Sequence, residues 1–289
     1  MDARASIECA LNSALAMADH PNAPPRLAAA MRHAVFPAGA RIRPRLTLAV
    51  AAACHTDNLR AASSAAAAIE LLHCASLVHD DMPEFDNADI RRGMPSVHRA
   101  FGAPLALLAG DALIVLAFQT LAEGAAKAPS RLAAMVTAVA SAVGVPHGIV
   151  AGQAWECEPS PDLSAYQQAK TGALFAAATE AGAAAAGWQG AAWRPLGAYL
   201  GEAYQVADDI RDAVCTAEEI GKPVHQDDAH DRPNAVRQLG LSGAVGRLNS
   251  LAAMAANSIP ACPGAADLKA LIKLESQRLL PKRSPAQAA

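Results

Sequence analysis

The chain has 289 residues, is 53% hydrophobic but only 4% aromatic, and carries a net charge of −3 with no long basic run. That excludes nucleic acid as a partner, since phosphate-backbone binding needs a clustered positive face. Six cysteines lie far apart with no Cys-x-x-Cys pair, so neither a zinc centre nor a disulfide framework is indicated, which suits a reducing cytoplasm.

With so few aromatic rings, the core must be built from small aliphatic side chains, which favours closely packed helices over β-sandwich layers. The expected fold class is all-α, one helical domain over residues 1–280 with a mobile tail over 281–289. Residues 1–4 open a polar, mixed-charge segment with no long apolar core, so no secretory leader is expected. A first helix should end before the proline-rich stretch 21–25, because prolines break helices but suit their first turns. Alanine-rich stretches 61–77 and 103–122 suit helices, and period-2 alternation of β-branched residues is not apparent. Residues 132–155 contain no Asp, Glu, Lys or Arg, which by length qualifies as a membrane span. Pro146-His147-Gly148 interrupts them, so a buried helix pair and no membrane span is the expectation.

Two acidic segments stand out: Asp80-Asp81-Met82-Pro83-Glu84-Phe85-Asp86, and Asp208-Asp209-Ile210-Arg211-Asp212. Each is embedded in apolar helix-forming sequence, where clustered anions are costly unless something cationic neutralises them. Hard oxygen donors suit Mg²⁺, which keeps some of its waters and bridges to phosphates. Cations follow each run, Arg91-Arg92 after the first and Lys222 after the second, as a metal-bridged diphosphate requires. Asp208 and Asp212 are four apart and share a helix face. Pro83 divides the first run, so Asp86 should project from a distorted helix end.

In these and further motifs the chain resembles the trans-isoprenyl diphosphate synthases, and most of all the bacterial geranylgeranyl diphosphate synthases. The further motifs are Gly39-Ala40-Arg41-Ile42-Arg43-Pro44, the His73 segment, Gly110-Asp111, Gly152-Gln153, Lys170-Thr171-Gly172, Tyr204-Gln205 and Gly221-Lys222. The resemblance implies a helical bundle with a central metal-lined cavity, a homodimer, and three Mg²⁺ ions held mainly by Asp80, Asp86 and Asp208, with Asp81, Asp209 and Asp212 in support. It implies that an allylic diphosphate ionises there and that isopentenyl diphosphate attacks the cation to give a product five carbons longer. Arg91, Lys170 and Lys222 would hold the allylic diphosphate, and Arg43, His73 and Arg92 the isopentenyl diphosphate. Thr171 and Gln205 would place dipoles near the developing cation.

Four positions depart from the family pattern: Ala40 replaces a lysine, Ala88 and Glu156 replace aspartates, and Gln226 stands where a basic residue is usual. Arg41 is the candidate substitute for the missing lysine. Gly110-Asp111 reads as a structural pair, close helix packing plus a buried hydrogen bond. Ala75 and Ser76, about one turn before Asp80, are both small, and farnesyl-producing bacterial relatives carry an aromatic residue at the Ala75 position. A longer, C20 product is therefore expected. The competing readings are a farnesyl diphosphate synthase, a terpene cyclase, a regulatory subunit of another synthase, and a plain helical scaffold.

Overall fold

The computed structural model describes residues 2–36, 39–159, 165–166, 168–214 and 234–279. Lys222, Gln226 and the 281–289 tail lie outside the described residues. Twelve α-helices are described: α1 (Ala3–Leu15), α2 (Pro25–Val35), α3 (Ile42–Ala53), α4 (Leu59–Asp80), α5 (Val97–Phe101), α6 (Ala103–Gly124), α7 (Pro129–Val143), α8 (Ile149–Ala154), α9 (Ala173–Ala185), α10 (Arg194–Val214), α11 (Ala235–Asn257) and α12 (Ala265–Leu279). The all-α expectation holds.

Local chemistry explains the boundaries. The Asp2 side chain caps α1 by accepting from the Arg4 amide, and Asn58 caps α4 by accepting from the Ala61 amide at 3.0 Å. Pro25 opens α2 at a position where its missing N–H costs nothing. The apolar window at 132–155 is broken by Gly144–Gly148 into α7 and α8. Two other helices, α4 and α6, are long and apolar enough to cross a membrane. In α4, 72% of that window is buried inside the fold, as in a core helix, whereas α6 keeps Leu107, Leu108 and Val115 exposed.

One feature was invisible in the sequence: a two-residue strand pair, Ile90–Arg91 (β1) against Met94–Pro95 (β2). Its turn residues Arg92 and Gly93 have φ of 53° and 77°, the left-handed pair that a tight hairpin requires. Arginine is an unfavourable choice there, so the pattern gives no hairpin signal. The strained backbone sits beside the first acidic motif, where strain is commonly held in place by function.

The centre of the bundle is α4, packed on α6, α3, α9 and α1, while α9 packs on α3, α7 and α10. Six alanines of α4 between 61 and 68 are buried, so neighbouring axes approach closely. Among the described glycines, the tightest approach to another backbone joins α9 to α10, where a Cβ on Gly197 would lie 2.3 Å from the Phe175 carbonyl oxygen. Backbone cannot yield as a flexible side chain does. Gly197→Ala is expected to cost about 2–3 kcal/mol by overpacking, read as a lower urea midpoint with the slope unchanged. An unaltered midpoint would show that the two helices can separate freely.

Candidate active site

The first acidic motif begins where α4 stops. Asp80 is the last helical residue, Asp81 caps the end, and the chain turns back so that the Asp86 amide donates to the Asp80 carbonyl at 3.0 Å. Asp81 is buried and receives the Arg91 Nε on both carboxylate oxygens, at 3.0 and 3.1 Å. Burial pushes the Asp81 carboxyl upward from its ordinary value, with Arg91 opposing. Asp80 keeps 14% of its side chain exposed and accepts from Lys170 Nζ at 3.2 Å. Asp86 lies on the exposed turn that follows.

The second motif lies wholly on α10. Asp208 pairs with Arg211 at 2.9 Å. Asp209 is buried, accepting from Gln205 Nε2 at 3.1 Å and from the Ala235 amide at 2.7 Å, so it ties the start of α11 to α10. Asp212 follows Asp208 by one turn.

Two consecutive residues connect the motifs. Lys170 and Thr171 lie on a π-helical turn, Gln168–Gly172, immediately before α9, a distortion often found at functional sites. Lys170 reaches Asp80 of the first motif and Glu156 Oε1 at 2.6 Å, while Thr171 Oγ1 donates to Gln205 of α10 at 3.3 Å. Gln153 and Tyr166 also donate to Glu156, at 2.8 and 2.7 Å. Burial alone would depress the Lys170 ammonium, but the charges of Asp80 and Glu156 and the Tyr166 contact outweigh it, so its affinity for the proton is raised. Gly152 lets this turn dock: a Cβ there would lie 2.5 Å from the Lys170 backbone nitrogen.

A second cationic group lies nearby. Arg43 Nη1 is 3.4 Å from His73 Nε2, and its guanidinium lies over the Phe175 ring with 4.5 Å to the centroid. Burial, then the charges of Arg43, Arg92 and Arg91, hold His73 well below the usual histidine range, so the ring is neutral near pH 7. Arg43 Nε and Arg92 Nη1 are buried donors with no hydrogen-bond partner among the described residues. Such groups are costly unless an anion receives them.

Two expectations need correction. Arg41 does not stand in for the lysine missing at Ala40: its side chain is fully buried, bound to Glu70 at 2.6 Å, to Glu8 at 3.0 Å and to the Val35 carbonyl at 2.9 Å. A cation buried inside the fold and bound to two carboxylates is not placed to receive a diphosphate. For Gly110-Asp111, the close packing is present, since a Cβ on Gly110 would lie 2.1 Å from His79 Nε2. The buried hydrogen bond is not, because the Asp111 carboxylate is 57% exposed and 3.7 Å from His79.

A cavity of about 1110 Å³ lies between α1, α3, α4 and α12, with Phe175 and Tyr204 in its wall. Ala75 is buried in the main core, and the Ser76 hydroxyl donates to the His73 carbonyl. Neither is among the residues lining that cavity.

Among the described residues, no three His, Cys, Asp or Glu side chains are gathered into a metal-binding group. Cations hold the carboxylates instead: Lys170 on Asp80, Arg91 on Asp81, Arg211 on Asp208. The donor set of the two motifs is nonetheless all carboxylate oxygen, which fits a hard divalent cation and no soft one.

Sequence reasoning missed the Glu8–Arg41–Glu70 cluster, the Tyr166 contact with Glu156 and the rings beneath Arg43. Glu70 gave one available signal, a lone carboxylate in an apolar alanine-rich stretch, three residues before His73.

Residues 24–253 match the family described as polyprenyl synthetase. The chain is 53% identical over 281 residues to the geranylgeranyl diphosphate synthase of Cereibacter sphaeroides, covering 97% of this chain and 98% of that protein. It is 50% identical to the geranylgeranyl diphosphate synthase of Rhodobacter capsulatus, covering 95% of each. Among solved structures, an FPP/GFPP synthase from Zymomonas mobilis superposes with a TM-score of 0.78 at 32% identity, covering 95% of this chain and 99% of that one.

Proposed function

Because the chain belongs to the polyprenyl synthetase family, we propose that it condenses isopentenyl diphosphate with an allylic diphosphate, head to tail, and releases geranylgeranyl diphosphate. One observation carries the reading for this chain: Lys170 pairs with Asp80 of the first acidic motif, and its neighbour Thr171 bonds Gln205, which donates to Asp209 of the second. That contact chain supports one site served by both motifs.

Asp80, Asp86 and Asp208 would hold Mg²⁺, three ions by the family pattern, with Asp81, Asp209 and Asp212 in support. Bound there, magnesium supplies the Lewis acidity that stabilises pyrophosphate as it departs. Arg91 and Lys170, with Lys222 from beyond the described residues, bind the allylic diphosphate and keep its leaving oxygens oriented. Thr171 and Gln205 turn their dipoles toward the carbon that becomes cationic. Arg43, His73 and Arg92 bind isopentenyl diphosphate, and the partnerless Arg43 Nε and Arg92 Nη1 are donors its phosphates can satisfy. The isopentenyl double bond forms the new carbon–carbon bond to the allylic cation, and the proton then lost goes to released pyrophosphate.

The exposed apolar face of α6, with Leu107, Leu108 and Val115, supports a homodimer. Light scattering at twice the chain mass is the expected result. The small side chain of Ala75 and the names of the two bacterial relatives support a C20 product. Accordingly, Ala75→Tyr is expected to shorten the main product by one isoprene unit, and an unaltered product would place the floor of the chain-binding space elsewhere.

The test is an assay of the purified chain with dimethylallyl or farnesyl diphosphate, isopentenyl diphosphate and Mg²⁺, followed by dephosphorylation and chromatography. A C20 alcohol is expected. Elongation that requires a second subunit would assign the chain a regulatory role, and a C15 end product would make it a farnesyl diphosphate synthase.

A further inference from the structure

Glu70 lies three residues before His73 on α4, with 2% of its side chain exposed. A buried carboxylate is expensive unless its charge is used. Its nearer partner, Arg41 at 2.6 Å, is already served by Glu8 from α1, at 3.0 and 3.4 Å, and by the Val35 carbonyl. The single charge of Arg41 is therefore shared between Glu8, which is partly exposed, and the buried Glu70.

The same oxygen, Glu70 Oε1, lies 3.9 Å from Arg92 Nη2. Arg92 is held from other directions too. Its backbone has a φ of 53°, and its guanidinium is packed so tightly on Gly39 that a Cβ there would lie 2.8 Å away. With the Glu70 charge 3.9 Å from Nη2, beyond hydrogen-bond distance, Arg92 keeps Nη1 without a partner among the described residues, as Arg43 keeps Nε. The charge of Glu70 also reaches Arg43.

We infer that Glu70 is a positioning residue: fixed by Arg41, it holds the Arg92 guanidinium so that Nη1 faces the diphosphate of the isopentenyl substrate. The inference rests on the assignment of Arg43, His73 and Arg92 to that substrate. Glu70 touches no substrate itself. Its effect is confined to one of the two substrates, which a role limited to stability would not produce.

The experiment measures steady-state constants for each substrate in Glu70→Gln, Glu70→Asp and Arg92→Ala, with melting curves for all three. Glu70→Gln is expected to raise KM for isopentenyl diphosphate about tenfold, leaving kcat and the allylic KM within about twofold, because an Arg–phosphate contact loses its alignment. Glu70→Asp keeps the charge beside Arg41 but retreats from Arg92, so it should raise the same KM several-fold at a near-normal melting temperature. It decides the matter if Glu70→Gln does not fold. An unchanged isopentenyl KM in folded Glu70 variants, or an equal shift for both substrates, overturns the inference while a raised KM in Arg92→Ala leaves the site assignment standing. If Arg92→Ala itself leaves that KM unchanged, both fall together.

Discussion

Asp80→Ala and Asp208→Ala are each expected to lower kcat by about 10²–10³-fold or more, the scale seen when one preorganised group facing a developing charge is removed. The two residues come from different elements, the end of α4 and the body of α10, and are 128 positions apart in sequence. Equal penalties from such distant positions would be coincidence on a scaffold and are required if one leaving pyrophosphate is served by both. Circular dichroism should show both variants folded, since Asp80 is paired with Lys170 and Asp208 with Arg211 at partly exposed positions, where single pairs contribute little stability. Losses below about tenfold in both would refute the shared site. The double variant should be little worse than either single one, as for groups acting as a unit.

Lys170→Gln is the second large effect. On the proposed assignment the allylic diphosphate loses a charged donor, worth about 1.5–3 kcal/mol, so kcat/KM for the allylic substrate should fall about 10–100-fold. The KM for isopentenyl diphosphate should not move, because Arg43, His73 and Arg92 form a separate group. The pH dependence has a definite sign. The folded-state affinity of Lys170 for its proton is raised above the ordinary value of 10.5, so its stabilising contribution is complete below that pH and is lost only as pH rises through the higher folded value. The stability difference between wild type and Lys170→Gln should therefore be constant from pH 6 to 9. A difference that shrinks across that range would mean that Lys170 is neutral when folded and cannot act as a fixed cation.

Local rules were enough for much of this. The prolines at 21–25 and the alanine runs mark helices because turn chemistry and propensity act within a few residues. The four-residue spacing of Asp208 and Asp212 places them on one face of α10 without tertiary knowledge. What remained hidden depends on partners far away in the chain. Arg41 looked like a free cation beside a glycine, yet its fate is decided by Glu8 and Glu70, 33 and 29 positions away. Asp111 looked buried because α6 is apolar, but it lies on the face that α6 leaves exposed. The Arg92-Gly93 turn was unreadable because it places an arginine in a left-handed conformation that sequence rules reserve for glycine and asparagine.

The most direct test is a crystal structure of the protein with Mn²⁺ in place of Mg²⁺ and a non-cleavable allylic thiodiphosphate. The anomalous signal should place metal ions against the diphosphate with carboxylate ligands from both Asp80 and Asp208. A diphosphate bound through one of the two motifs alone, with the other facing only solvent, would contradict the account.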